Sequence, residues 1–445
     1  MKKNELTANI RIKKELCDLI DHYLKRLFHI NRCITGKGNR ESLRILQEIA
    51  PIQIKEYPSG SNVYDWVIPD EWIAKDAWIK DANGEKLIDF QKNNLHLISY
   101  SIPVQEQISF STLEKKLHYL EELPKAIPYR TSYYKKDWGF CVTKSQYQIL
   151  KNSKEPFEVL IDTKFSPNGS LSVGEVLIPG RNKKEILVST YICHPSLAND
   201  NLSGVVLTAF LAKNLIKKKL NLSYRFIFVP ETIGAISYCA NNEQSMKDID
   251  TGLVITCVGG PGEYSYKQSL NSKHYINSLT EEVFREGGIN FSTYPFDIHG
   301  SDERQYSSQR FRINTTTICK DKYYEYDYYH TSLDDLNFVS AKNIGQSLTL
   351  YIKLIDKLEG VVIFKSLVQN CEVMLSKHGL YPELGGSILP NQDSQKELNL
   401  ILWLIFYCDG HMPIDQISKK ISKPIKDIYK VALILEKKNI LKRIC

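Results

Sequence analysis

Short apolar runs alternate with helix-like runs through the middle of the chain, and this alternation restricts the fold more than any other feature. The apolar runs include EILVSTYI, SYRFIFVP, TGLVITCVGG and TTTICK. Helix-like runs begin near Leu202, Gly234, Ser278 and Ala341. The pattern predicts an α/β fold, a mixed sheet with helices on both faces. Ligands of such folds collect where loops leave the carboxyl ends of strands, so we expect functional residues directly after strands.

An aromatic-rich stretch at residues 61–152 does not share this alternation. Within it, AWIKDANGEKLIDF contains two strand-like runs joined around Asn83-Gly84, which is a strong hairpin signal. The stretch is therefore predicted to be an inserted β-rich domain. It would interrupt a discontinuous α/β domain formed by residues 1–60 and 153–390.

The tail at residues 391–445 has a third texture. Three short amphipathic segments, with a tight join at Lys423-Pro424, predict a winged helix-turn-helix-like domain. Its lysines fall mainly on the second and third segments. Two interpretations stay open: a nucleic-acid-binding unit, or a helical packing or dimerisation module, because solvated lysine faces are common.

Composition restricts the class and the compartment. With 445 residues, 42% hydrophobic and 24% charged, the chain is typical of a soluble protein of two or three domains. The opening MKKNELTANIRIKKEL lacks an apolar signal core, and no apolar run approaches the roughly 20 residues of a membrane helix. We expect a cytoplasmic homo-oligomer with no membrane partner. The 10 cysteines contain no CxxC pair, which favours reduced thiols over disulfides.

Residues able to bind a metal or move a proton follow four of the predicted strands. His194 and Asp200 follow EILVSTYI, Glu231 ends RFIFVPE, Asp302 lies in FDIHGSDERQY, and His330 lies in YYHTSLDD. Each of these residues alone is more often structural, but together at successive strand ends they predict one joint site. Two imidazoles favour zinc or another transition metal over magnesium or calcium.

These segments also resemble a known family. ANDNLSG is similar to the Gly/Ala-x-Asp-Asn-x-Ser-Gly signature of the zinc aminopeptidase-like fold of leucine aminopeptidases, glutamate carboxypeptidases and glutaminyl cyclases. PETIGAIS, GSDERQY and YHTSLDD resemble its later blocks, in family order. VYDWVIPDEW, IPYRTSYY, WGFC and ICHPSLANDNLSG are similar to a bacterial group described as polysaccharide-biosynthesis proteins with an aminopeptidase-like domain. That group carries an inserted β module and a C-terminal winged helix.

The resemblance implies a role for each site residue. His194 and His330 would be metal ligands, and Asp200 would be the carboxylate that bridges two zinc ions in two-metal members. Glu231 would be the general base, and Asp302 a supporting acid beside it. We therefore expect a metal site of His194, Asp200 and His330, with Glu231 and Asp302 as catalytic residues.

Three departures from the family pattern change the expected metal content. The family's second Glu, a metal ligand, is Thr232 here, and its later ligand Asp aligns with Cys257. The Asp that normally follows the first histidine by two residues is Ser196. Because two carboxylate ligands are missing, we expect one zinc ion rather than two. Cys257 is a conceivable replacement ligand, but its apolar neighbours favour a core position.

Substrate-binding residues are harder to identify. Arg130 and Arg304 have the guanidinium that clamps a carboxylate or phosphate, and Trp138 has a ring that stacks on a sugar or aromatic group. These three are the substrate-binding candidates. The competing interpretation places Arg130 and Trp138 in the core and rim of the inserted domain.

Two functional hypotheses follow. The first is a zinc-dependent hydrolase of aminopeptidase type that cleaves an amide or peptide bond in a small, sugar-linked substrate; transfer or cyclisation on the same scaffold is a variant of it. The alternative is a catalytically degenerate aminopeptidase-like protein that binds a ligand and acts as a regulator through its winged helix. The retained Glu231 beside the metal ligands favours the first, and the losses at Thr232 and Cys257 favour the second.

Overall fold

The computed structural model describes residues 11–381 and 393–444. The strands are β1 (Gln53–Pro58), β2 (Asn62–Val63), β3 (Trp66–Val67), β4 (Glu71–Lys80), β5 (Lys86–Asp89), β6 (Val104–Ile108), β7 (Leu117–His118), β8 (Phe140–Cys141), β9 (Phe157–Ser166), β10 (Ser170–Ile178), β11 (Glu185–Tyr191), β12 (Ser223–Val229), β13 (Thr251–Val254), β14 (Tyr264–Lys267), β15 (Phe291–Tyr294), β16 (Asn314–Cys319), β17 (Ile363–Ser366), β18 (Asp409–Pro413) and β19 (Leu441–Arg443).

The helices are α1 (Lys14–Phe28), α2 (Lys37–Leu46), α3 (Phe110–Leu113), α4 (Lys144–Asn152), α5 (Gly204–Leu215), α6 (Ile233–Asn241), α7 (Glu243–Lys247), α8 (Tyr275–Glu286), α9 (Glu303–Tyr306), α10 (Ala341–Glu359), α11 (Asp393–Tyr407), α12 (Ile414–Ile421) and α13 (Ile425–Lys437). Within the described residues, none of these helices combines the length and the apolar composition that crossing a membrane requires.

An eight-stranded mixed sheet forms the centre, in the order β1-β10-β12-β11-β13-β16-β14-β15. Its middle strands β12, β11, β13 and β16 run parallel. Successive residues of β11 point to opposite faces: Ile186 and Val188 join the core beneath α1, α5, α8 and α10, whereas Leu187 joins the core beneath α6 and α9. Both faces of the sheet are therefore covered by helices, and the loops after the parallel strands open at one edge.

The inserted stretch forms a second sheet, in the order β5-β4-β9-β6. The predicted hairpin is confirmed: β4 pairs antiparallel with β5, and Gly84 at the turn has φ +83°. Asp81 Oδ1 accepts the backbone N–H groups of Asn83 and Glu85 and so closes this turn. Since β9 completes this sheet, a division of the chain by sheets would extend the proposed insert beyond residue 152 to 166.

The C-terminal unit packs α11, α12 and α13 on a small sheet in the order β18-β17-β19, around its own apolar core. β17 precedes α11 in the chain, so division by sheets would begin this unit near residue 363 rather than at 391. The domain boundaries remain a proposal.

Candidate metal centre

Three side chains from two loops converge beyond the carboxyl end of β11. His194 and Asp200 lie in the loop between β11 and α5, and His330 lies in the loop before α10. Their ligand atoms all fall within 4.8 Å of one another. The Nε2 atom of His330 is 3.0 Å from Oδ2 of Asp200, and the Nε2 atom of His194 is 3.9 Å from the same oxygen.

The donor set fits a cation. Oδ2 of Asp200 and Nε2 of His330 are buried and, among the described residues, neither has a hydrogen-bond partner of acceptable geometry. A buried polar atom without a partner is costly, and two such atoms facing each other are explained by a shared ligand. Two imidazoles and one carboxylate are a donor set of the kind found in catalytic zinc sites, which have three protein ligands.

The second carboxylate oxygen of Asp200 is already engaged. Its Oδ1 accepts a hydrogen bond from the Tyr191 hydroxyl, and Sγ of Cys257 lies 3.8 Å away. Tyr191 is in turn 2.6 Å from Oγ1 of Thr256. A carboxylate that bridged two ions would need this oxygen for the second ion.

The protonation states suit metal binding. Burial lowers the pKa of His194 to about 4. Burial alone would raise the pKa of Asp200, but His194, His330 and the Tyr191 hydroxyl together lower it to about 2. At neutral pH the His194 imidazole is therefore uncharged and the Asp200 carboxylate is ionised, which are the forms that bind metals.

Asp334 positions the ligand loop from the far side of the site. Its fully buried carboxylate accepts the backbone N–H of Asn199 at 2.6 Å and that of Asp200 at 2.9 Å. The Tyr326 hydroxyl donates a third hydrogen bond. Asp334 is the first of the two aspartates that end the YHTSLDD segment, so this segment supplies both the candidate ligand His330 and the support for Asp200.

The polar residues of ANDNLSG hold the loop in place. Oδ1 of Asn199 accepts the N–H groups of Gly259 and Gly260. Nδ2 of Asn201 donates to Oγ1 of Thr190 at 2.9 Å. At Gly204 a Cβ atom would lie 2.5 Å from the carbonyl oxygen of Ile255, the residue that follows β13. The close approach of α5 to the end of β13 therefore requires glycine.

A buried arginine supports His194. Arg32, which is only 2% exposed, donates from Nε and Nη2 to the His194 carbonyl oxygen at 3.1 and 2.9 Å, and from Nη1 to the Leu27 carbonyl oxygen. In the described part of the chain it has no carboxylate partner. Burial lowers the pKa of Arg32 to about 10, so it remains charged at neutral pH. No local sequence signal pointed to it.

Glu231 lies beside the three ligands, at the end of β12. Its Oε2 atom is 3.8 Å from Nε2 of His194, and its Oε1 atom accepts a hydrogen bond of 2.8 Å from the Ser301 hydroxyl. Burial and then the charge of Asp200 raise the pKa of Glu231 to about 7. This position and this pKa suit a residue that accepts and returns a proton.

Asp302 lies behind Glu231 and is fully buried. Its Oδ1 atom accepts the backbone N–H of Thr232 at 2.7 Å, while Oδ2 has no hydrogen-bond partner among the described residues. Burial and the nearby Glu231 raise the pKa of Asp302 well above its ordinary value. Asp302 therefore contacts the backbone that carries Glu231 but does not reach the ligands.

Comparison with known proteins places this arrangement in a family. The model of a family described as a domain of unknown function, DUF4910, matches residues 21–360. The chain belongs to the DUF4910 family. A second model, described as winged helix-turn-helix, matches residues 362–443, which confirms the predicted fold of the tail.

Relatives of this DUF4910 chain share its full length. A Clostridium acetobutylicum protein is 37% identical over 438 residues, which cover 98% of this chain and 99% of that protein. That protein is named, without an established activity, as a polysaccharide biosynthesis protein with an aminopeptidase-like domain. A crystal structure of a C. acetobutylicum protein has a TM-score of 0.77 at 36% identity, and the match covers 96% of this chain and 97% of that one. That protein is described as a peptidase without an established activity. The predicted resemblance to this group is confirmed.

A zinc aminopeptidase from Bacillus subtilis has a similar fold over most of this chain. Its structure has a TM-score of 0.55 at 14% identity, covering 76% of this chain and 95% of its own. The predicted fold class, an aminopeptidase-like mixed α/β sheet with an inserted β-rich module and a C-terminal winged helix, is thereby confirmed.

The three predicted substrate-binding residues of this DUF4910 chain do not reach the metal ligands. Arg130 and Trp138 line a separate cavity in the inserted module. Arg304 is exposed and donates to the carbonyl oxygens of Ser301 and Ile298. Aromatic rings do face the two histidines: the Tyr129 ring centroid is 5.2 Å from the rings of both His194 and His330, and the Tyr329 ring stacks on His330 at 3.9 Å. A substrate role for Arg130, Trp138 and Arg304 stays a prediction.

Proposed function

We propose that the chain is a zinc-dependent hydrolase that cleaves an amide or peptide bond in a small substrate. One observation carries the proposal: the unpartnered Asp200 Oδ2 and His330 Nε2 face each other beside an uncharged His194, with the carboxylate of Glu231 3.8 Å from that imidazole. A regulatory protein without catalysis has no physical need for a base of raised pKa at this position.

We further propose that one ion is held, by His194, Asp200 and His330. Such an ion would supply Lewis acidity, which polarises a substrate carbonyl and acidifies water. The Tyr191 hydroxyl engages the oxygen of Asp200 that a second ion would need. Thr232 and Cys257 stand where the resemblance places the missing carboxylate ligands, which also favours one ion.

The remaining residues either move a proton or hold the proton-moving group in place. Glu231, as a carboxylate, accepts a proton from the attacking water and returns it to the leaving amine. The Ser301 hydroxyl holds Oε1 of Glu231, which leaves Oε2 directed to the side of His194. Asp302 accepts the backbone N–H of Thr232 and so holds the residue that follows Glu231 in place. Tyr129 excludes water from one side of the two histidines.

The substrate class is the finer part of the proposal. The relative from C. acetobutylicum is named for polysaccharide biosynthesis. We extend this to an amide-bearing sugar or sugar-linked precursor as the substrate. Cytoplasmic location and homo-oligomerisation remain predictions.

Metal analysis of the purified protein tests the site. We expect about one transition-metal ion per chain, and loss of most of it in His194→Ala because a three-residue site cannot spare a ligand. His378→Ala, which removes a histidine outside the site, should retain the metal. Protein without stoichiometric metal after purification in metal-supplemented medium would contradict the proposal.

Turnover tests the chemistry. With a panel of amide-bearing sugars and aminoacyl amides, Glu231→Gln should lower kcat about 100-fold or more, because the amide cannot accept the proton. Glu106→Gln, an exposed change on β6, should leave kcat unchanged. Equal turnover by wild type and Glu231→Gln would remove Glu231 from the mechanism.

A second candidate function, regulation through nucleic acid, is favoured by the exposed lysines of the winged helix. Lys423 lies just before α13, and Lys426 and Lys430 lie one turn apart within it. All three side chains are exposed. Binding of duplex DNA that weakens steeply between about 50 and 200 mM salt would support it. Lys426→Ala/Lys430→Ala should then abolish binding, whereas Lys217→Ala/Lys219→Ala, on the α/β domain, should not.

A further inference from the structure

A basic cavity in the inserted module lies outside the metal centre. Its volume is about 420 Å³, within the range typical of small-molecule sites. Its wall comes from four parts of the chain: Ile98, the stretch around Lys115 to His118, residues 130–132, and the stretch around Lys135 to Trp138. The wall includes the side chains of Lys115, Lys116, His118, Arg130, Lys135 and Trp138.

The cavity carries an excess of positive charge. Four cationic side chains line it, against the single carboxylate of Asp137. Asp137 is already engaged, because it accepts a hydrogen bond of 2.6 Å from Lys116 and lies 3.4 Å from Lys135. Within the described residues, Arg130 and Lys115 have neither an ion-pair partner nor a hydrogen-bond partner for their charged groups. Two cations are thus available to a ligand.

The remaining lining groups suit an organic anion. The guanidinium of Arg130 presents paired N–H donors that match phosphate or carboxylate oxygens. Burial, and then the charge of Arg130, lower the pKa of His118, so its imidazole is uncharged at neutral pH and donates one N–H. Trp138 supplies an apolar wall, and Nζ of Lys116 lies 5.3 Å from its ring centroid.

The cavity and the metal centre share one chain segment. The backbone N–H of Tyr129 donates to the His330 carbonyl oxygen at 2.8 Å, and its ring faces the two histidines. Arg130, the next residue, lines the cavity. Successive side chains of an extended segment point to opposite sides, so a ligand in the cavity lies behind Tyr129 and is not a metal ligand.

We propose that this cavity binds the phosphate group of a small phosphorylated molecule. Phosphate is favoured over carboxylate because several cations surround one cavity, and a dianion with three acceptor oxygens engages more than one of them. The space beside Trp138 then accommodates the uncharged body of the molecule, such as a sugar ring. The proposal concerns binding alone and does not depend on hydrolytic activity.

Calorimetric titration of the full-length protein tests the proposal. Inorganic phosphate and glucose 6-phosphate are expected to bind, whereas glucose and acetate are not. Arg130→Gln and Lys115→Gln should each weaken phosphate binding about tenfold, the loss typical of one charge-assisted hydrogen bond. Lys136→Gln, an exposed neighbour that does not line the cavity, should bind as wild type does.

The His194→Ala variant separates this site from the metal centre. Phosphate binding should be unchanged in it, since the cavity lies on the other side of Tyr129. Loss of binding in His194→Ala, or unchanged binding in both Arg130→Gln and Lys115→Gln, would overturn the proposal. Acetate binding as tight as phosphate would overturn the choice of ligand. Arg130 and Lys115 are exposed, so both variants should keep the circular dichroism spectrum of the wild type.

Discussion

Arg32 shows how much one residue outside the recognised motifs contributes to the candidate metal centre. Its guanidinium is buried, and its donors are directed at backbone carbonyl oxygens rather than at an acid. A buried charge is tolerated only when its hydrogen bonds are made, and here they hold the backbone of His194. The imidazole is thus positioned from its own carbonyl group.

We predict that Arg32→Lys destabilises the protein by about 1–3 kcal/mol, because a compact ammonium cannot reproduce the paired donors. The altered backbone at His194 should also lower the metal affinity of the candidate site about tenfold. Urea unfolding and competition with a metal indicator measure the two effects. Arg310→Lys, where the side chain is 70% exposed, serves as control and should change stability by less than about 0.5 kcal/mol. Unchanged metal affinity in Arg32→Lys would show that Arg32 supports the fold only.

At the scale of elements, a lysine of β14 fixes the position of the loop whose Ser301 contacts Glu231. Lys267, at the end of β14, is 1% exposed; its Nζ donates to Oδ1 of Asp297 at 2.9 Å, to the His299 carbonyl oxygen at 2.8 Å and to Oε1 of Glu303 at 3.0 Å. These contacts fix both ends of the loop that carries Ser301. The hydroxyl that holds Glu231 is therefore placed by a strand near the sheet edge.

We predict that Lys267→Met costs about 3–5 kcal/mol, because it leaves the buried Glu303 carboxylate without its cation. Adding Glu303→Gln should recover part of this loss, since the second change removes the uncompensated charge. Urea unfolding of both single variants and the double variant gives the coupling energy. Additive losses would show that the two side chains do not act as a pair.

For the whole molecule, the winged helix unit is docked on the α/β domain by polar contacts. His411 of β18 lies 3.7 Å from Oδ1 of Asp250, whose other oxygen is 2.9 Å from Nε2 of His274. Lys419 of α12 lies 3.2 Å from Glu282 of α8. Exposed contacts of this type contribute little energy each, so docking depends on several together.

We predict that His411 titrates above its ordinary pKa of 6.5, because it lies beside the Asp250 carboxylate and near the charge of Asp409, against the opposing effects of burial and of the Lys184 charge. Since the folded pKa is raised, the contact stabilises docking fully below pH 6.5 and is lost as the pH rises through the folded value. NMR titration of His411 checks this. Asp250→Asn should return the pKa of His411 toward 6.5, whereas Asp248→Asn, an exposed neighbour, should not.

Local patterns in the sequence determined much of the architecture. The alternation of apolar and helical periods predicted the α/β sheet, and Asn83-Gly84 predicted the β4–β5 hairpin, because side-chain periodicity and turn chemistry act over a few residues. Because ligands of such folds collect at the carboxyl ends of strands, the sequence also predicted that His194, Asp200, Glu231 and His330 lie at one edge of the sheet. These features needed no knowledge of distant contacts.

Only the tertiary structure identified the groups that position these ligands. Arg32 and the carbonyl of His194 are 162 residues apart, Asp334 and the N–H of Asp200 are 134 apart, and Ser301 and Glu231 are 70 apart. The engagement of Asp200 by Tyr191 likewise depends on how the loop returns to β11. Such pairs leave no periodic trace in a single sequence, because a hydrogen bond requires that two atoms meet in space and not that their residues follow any spacing along the chain.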